Sequence, residues 1–285
     1  MMSLALFYAF CCLGCTAVND LLFKFFARKP RSRGLFVTTV GLAGTVLFSF
    51  LPDKIGENWQ LTLFWGVICG IFSAVGNIML IESMATLSAG VCSTVYRLNL
   101  ALVVPLSVVI FKEKLHWQQY LGIIFALAAV LAFLPSGNAD KKENGKKRFL
   151  PVIMIITACI FRAGLGIACK YGPEAGASKN GINLIIEIIW IISGLLYWLL
   201  MERKHCKFDL KVVKYGLSSG VLVAGILFFM VLALSVGSAS VVLPIAQMSF
   251  LATFILSVIF LHEKITFWKG TALVCGCAAM LLLTC

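Results

Sequence analysis

The chain has 285 residues, 61% of them hydrophobic and 13% charged, with a formal net charge of +12. A soluble domain is nearer ~45–50% apolar and ~25% charged, so the composition argues against a water-soluble enzyme; it rules out disorder, because so apolar a chain buries more surface than its ordering costs. The basic excess does not point to nucleic acid, since 20 of the 24 Lys and Arg lie in or beside polar breaks between apolar runs, where they bear on topology.

Taken in chain order, the apolar runs predict spans at 3–27, 34–52, 60–84, 88–111, 117–135, 149–171, 181–201, 212–235, 239–261 and 266–284. A crossing takes ~20 residues at ~1.5 Å each, so ten crossings use most of the chain and leave short loops. The first 15 residues lack a basic n-region and run on into the first span, so a cleaved secretory signal is not expected. Trp59, Trp117, Trp198 and Trp268 fall near span ends, as interfacial anchors do. The 11 cysteines are scattered through apolar segments. Cys12 and Cys15 have CxxC spacing but no second pair or nearby His, so the cysteines read as small hydrophobes and no metal or cofactor is expected.

The longest polar stretch, Ser136 to Arg148, separates a five-helix repeat at 1–135 from a second at 149–285, with 136–148 as linker. The halves are similar at a constant offset of 150: Gly66 and Gly70 map to Gly216 and Gly220, Ser88-Ala89 to Ser238-Ala239, Leu106-Ser107-Val108 to Leu256-Ser257-Val258, and Glu113-Lys114 to Glu263-Lys264. An odd number of helices per half makes the second copy enter from the opposite side. The fold class expected is therefore an all-α membrane protein of ten transmembrane helices in two inverted five-helix repeats, an arrangement characteristic of secondary transporters.

The stretches SAGVCSTVYRLNLALVVPLSVVIFKEKLHWQQYLG and GSASVVLPIAQMSFLATFILSVIFLHEKITFWKG each resemble the end of an EamA-type repeat of the drug/metabolite transporter superfamily: a small Ser/Ala turn, a helix, a short hinge holding Glu113 or Glu263, and a last helix. The resemblance implies a ten-helix, basket-shaped metabolite carrier, with its cavity between the halves and the fifth and tenth helices at the periphery; the compact chain without a targeting segment suggests a multi-pass protein of the cell (inner or plasma) membrane. Many members carry a Pro about 13 residues before the hinge Glu. Here Leu100 and Phe250 stand there, with Pro105 and Pro244 elsewhere, so shifted helix breaks are expected.

An ionisable side chain at membrane depth costs ~2.5–3.5 kcal/mol or more, which makes each one a functional candidate. Seven qualify: Asp20, Lys24, Glu82, Arg97, Arg162, Lys170 and Glu187. Arg97 leads, near the middle of the fourth span beside Tyr96 and Asn99, with a planar fork suited to carboxylate or phosphate. Its repeat mate Gln247 is the strongly polar residue deep in the ninth span. Arg162 lies mid-span among Ala163, Gly164 and Gly166, and Asn77 continues the stripe Gly66, Gly70, Ser73. Substrate binding is thus placed on Arg97, Tyr96, Asn99, Arg162, Gln247 and Asn77, and coupling or ion pairing on Glu82, Glu187 and Asp20. The structural alternatives are an Arg97–Glu82 pair, an Arg162–Glu187 pair and an i,i+4 pair of Asp20 with Lys24. Lys24 and Lys170 lie where snorkelling is cheap.

Odd-numbered loops hold 16 Lys and Arg and even-numbered loops four, Lys54, Lys112, Lys114 and Lys179. The positive-inside rule then puts both termini outside, whereas the resemblance implies cytoplasmic termini. With no GxxxxGK[ST] loop, transport is expected to run on a gradient rather than on ATP, and Glu82, Glu187 or Asp20 could exchange the proton. Two midplane arginines favour an anionic or zwitterionic small-molecule substrate. The alternative is an exporter of organic cations or drugs, or a lipid-head-group flippase. No nucleophile or metal set converges at depth, so an enzyme is not expected. The partners foreseen are the substrate and the bilayer, with a homodimer left open.

Overall fold

The apolar runs form helices throughout. The computed structural model describes residues 2–27, 31–52, 58–86, 96–112, 114–133, 149–203, 209–261 and 267–284, and among them every regular element is helical. In chain order these are α1 (Met2–Ala27), α2 (Arg33–Ser49), α3 (Trp59–Thr86), α4 (Leu100–Phe111), α5 (Trp117–Phe133), α6 (Phe149–Glu174), α7 (Lys179–Tyr197, continued by a π turn, Trp198–Glu202), α8 (Leu210–Val236), α9 (Ala239–Gln247), α10 (Ser249–Leu261) and α11 (Phe267–Thr284). Five stretches, in α1, α3, α6, α7 with its π turn, and α8, are long and apolar enough to cross a membrane; α2, α4, α9–α10 and α11 give shorter apolar helices. The predicted ninth span is not one helix but two, α9 and α10, meeting at Met248. The linker 136–148 and the hinge residues Glu113 and Glu263 lie outside the described residues.

Contacts divide the chain into two compact units that cut across the sequence halves. One comprises 1–74 with 168–236, the other 75–167 with 237–285.

In the first unit α2 packs on α7 and α8, and α8 on α1. Without a hydrophobic drive between helices in lipid, close approach rests on small residues. On α2, a Cβ added at Gly34 would fall 2.7 Å from the Trp198 nitrogen, and one at Gly41 would fall 2.7 Å from the Glu187 carbonyl oxygen. From the other side, a Cβ on Gly220 of α8 would lie 2.7 Å from the Val40 carbonyl. The stripe on α3 packs in the same way: Gly66 against Ile185, Gly70 against Ile189, and Ser73 accepts the Trp190 Nε1–H at 2.9 Å. The N-terminus of α2 is capped from a distance. Glu202, in the π turn, accepts the Ser32 hydroxyl at 2.5 Å and the backbone N–H groups of Arg33 and Gly34 at 2.9 and 3.1 Å, placing a carboxylate at the positive end of the helix dipole. At the end of α6, Gly176 takes φ +97°, the left-handed conformation that lets the chain leave the helix.

Three of the four tryptophans foreseen as anchors, Trp59, Trp117 and Trp268, are exposed. Trp198 is not of that kind: its Cβ and backbone cover Gly34, and its indole nitrogen is buried.

In the second unit α5 packs on α11, with Gly122 against Leu283, and α4 packs on α9. The second half of α3 is tied to α6 by Ser83, whose hydroxyl donates to the carbonyls of Met79 (2.7 Å) and Pro151 (3.2 Å).

Candidate functional site

The second unit holds two helix breaks, and they occupy equivalent repeat positions. In α9, Pro244 has no N–H to give to the carbonyl four residues back. The last turn then tightens: Met248 N–H reaches Ile245 O at 3.0 Å as well as Pro244 O at 3.2 Å. Leu251 N–H bonds to Met248 O at 3.0 Å, and the Gln247 carbonyl takes a partner from outside. The other break precedes α4, at Leu98 and Asn99, which form a turn. An offset of 150 carries Leu98 onto Met248 and Asn99 onto Ser249. Pro105 lies after its break and Pro244 before its own, so the prolines are not equivalent although the breaks are.

Arg97 joins the two. Its Nη1 donates to the carbonyl of Gln247, its own repeat mate, and to Ser249 Oγ, the mate of Asn99, both at 2.8 Å. The side chain is 8% exposed. A cation there meets the negative end of the α9 dipole and satisfies a carbonyl that the break releases. Asn99 is 1% exposed, and neither its Oδ1 nor its Nδ2 has a hydrogen-bond partner among the described residues.

Arg162 comes to Tyr96, the residue before Arg97. Its guanidinium lies 5.8 Å from the centroid of the Tyr96 ring, within cation–π range, and the ring also packs with Met79 and Leu80 against Ile155 and Ala158. Tyr96, Arg97, Asn99, Arg162 and Gln247 thus share the second unit, as do Asn77 and Glu82, both half-buried on α3. Ser249, which helps hold Arg97, is a residue that the sequence reading missed; the offset from Asn99 was the signal that could have found it.

Asp20 and Glu187 belong to the first unit. Asp20 is half-buried on α1; its neighbour Asn19 accepts the Ser219 hydroxyl at 2.6 Å, and the Lys24 side chain lies outside the described residues. Lys170 is tied to Glu174, 3.9 Å away. Glu187 is fully buried, and neither carboxyl oxygen has a hydrogen-bond partner among the described residues. The Arg162–Glu187 alternative is therefore not supported from the side of Glu187.

The EamA-like transporter family matches residues 3–134 and 149–285. The chain belongs to that family. The transporter is also similar to a solved crystal structure at 12% identity and a TM-score of 0.81, over 99% of this chain and 98% of the other, a likeness of fold alone. Comparison with the curated proteins finds no match. The family places the chain among membrane transporters of small molecules rather than among enzymes.

Proposed function

We propose that the chain crosses the membrane ten times as two inverted five-helix repeats and carries a small anionic or zwitterionic metabolite by alternating access, driven by a gradient. The observation that carries this reading is the pairing of two helix breaks at equivalent repeat positions around the Arg97 guanidinium. Discontinuous helices at corresponding places in the two halves point to a transporter's binding site. There Arg97 anchors a carboxylate or phosphate, Asn99 supplies a donor and an acceptor that nothing else described takes up, and Tyr96, Arg162, Gln247 and Asn77 complete the polar surface. Glu82, Glu187 and Asp20 are the candidates for coupling. An exporter of organic cations would use the buried carboxyl of Glu187 instead.

A thermal-stability screen of the purified protein against anionic, zwitterionic and cationic metabolites tests this. A ligand at a hundredfold excess over its Kd stabilises the folded state by ~2.7 kcal/mol. Dose-dependent stabilisation by anions or zwitterions that disappears in Arg97→Ala is the expected result. Stabilisation by organic cations that survives Arg97→Ala and is lost in Glu187→Gln would overturn it in favour of the exporter.

A further inference from the structure

Glu187 lies inside a stretch of α7 and its π turn that is long enough to cross a membrane, Lys179–Glu202. Its carboxyl lies directly on the backbone of α2: a Cβ built on Gly44 would collide with the carboxyl carbon and meet each oxygen at 2.5 Å. One helical turn earlier, Asn183 is 1% exposed and its Oδ1 has no hydrogen-bond partner among the described residues, and next to Gly44 along α2 the buried Thr45 Oγ1 has none among them either. A fully buried carboxyl with no hydrogen-bond partner among the described residues is not accounted for by packing, because each unmade buried hydrogen bond is costly.

The charged and titratable groups of the surrounding elements are engaged or at a distance. Lys179 and Arg33 stand in the first turns of α7 and α2, Lys211 and Lys214 in the first turns of α8. Glu202 is consumed in capping α2. The part of α3 packed on α7 carries no charge, and the end of α6 carries the Lys170–Glu174 pair. The Cys69 and Cys169 thiols face each other at 3.9 Å, and Tyr215 lies against Phe26 and Arg31.

We propose that Glu187, with Asn183 beside it, is the proton-binding site through which transport is coupled to a proton gradient. This rests on the carrier reading above. A hard metal cation takes ~6 or more oxygen ligands, and the α2 backbone at Gly44 leaves the carboxyl no room for such a shell on that side. A proton needs none. Asn183, four residues before Glu187, lies on the same face of α7 as the carboxyl.

The test is modification by dicyclohexylcarbodiimide, which partitions into the bilayer and reacts with the protonated acid; the acid O–H adds across the C=N bond, its proton going to nitrogen. Peptide mass spectrometry of the full-length protein in membranes should find Glu187 labelled, with labelling falling about tenfold per pH unit once the site titrates. Labelling that is the same in acid and alkaline buffer, or none at Glu187, overturns the proposal. In proteoliposomes, with the metabolite selected by the stability screen, Glu187→Gln should keep counterflow and lose accumulation driven by a pH gradient. Equal accumulation in variant and wild type also overturns it. Absence of counterflow in the wild type counts against the carrier reading instead, and the labelling then decides the proton site.

Discussion

Arg97 has two duties, and they separate by measurement. As a structural group it holds the Gln247 carbonyl and the Ser249 hydroxyl; leaving a buried polar group unsatisfied costs ~1–3 kcal/mol, and more when the group is charged. Ser249→Ala removes one acceptor and should lower stability by about 1 kcal/mol, read as a small fall in Tm, with ligand stabilisation retained. Arg97→Lys keeps the charge but not the fork, so Tm should recover further than ligand affinity does. Arg97 and Glu187 were legible in the sequence because charge in an apolar run is costly. Asn183, Thr45 and Ser249 were not, because single neutral polar residues are ordinary in such helices and only their missing partners or repeat mates mark them.

For the helices, the glycines of α2 set the spacing to α7. Gly41→Ala should cost ~1–3 kcal/mol, since the new methyl meets the Glu187 carbonyl and the Ile191 nitrogen, backbone atoms that cannot step aside. Gly44→Ala meets the end of a flexible side chain instead; it should cost less and displace the Glu187 carboxyl, changing carbodiimide labelling more than Tm. Gly14, with nothing within 4 Å of its Cβ position, is the control, and Ala there should be neutral or stabilising by ~0.5–1 kcal/mol. Helix positions were legible from the apolar runs. The breaks were legible only as shifted: the prolines suggested displacement, but the offset of 150, applied to Asn99 and Ser249, places them where they are.

For the whole molecule, the repeat says which residues are equivalent and not which ones pack. Gly66 and Gly70 of the first half pack on α7 of the second, and Gly216 and Gly220 of the second pack on α2 of the first, which is why the compact units interleave the halves and why no division at 136–148 revealed them. Ten crossings require both termini on one face of the membrane. Impermeant labelling of tags at the two ends should therefore give the same sidedness; opposite faces would mean an odd number of crossings. The central claim is that a carrier binds its substrate at Arg97 between the two helix breaks, and the measurement nearest to it is solute counterflow in proteoliposomes with the metabolite that stabilises the protein. Wild type should exchange labelled for unlabelled solute, and Arg97→Ala, folded by its melting transition, should not. Undiminished exchange by Arg97→Ala would contradict the account.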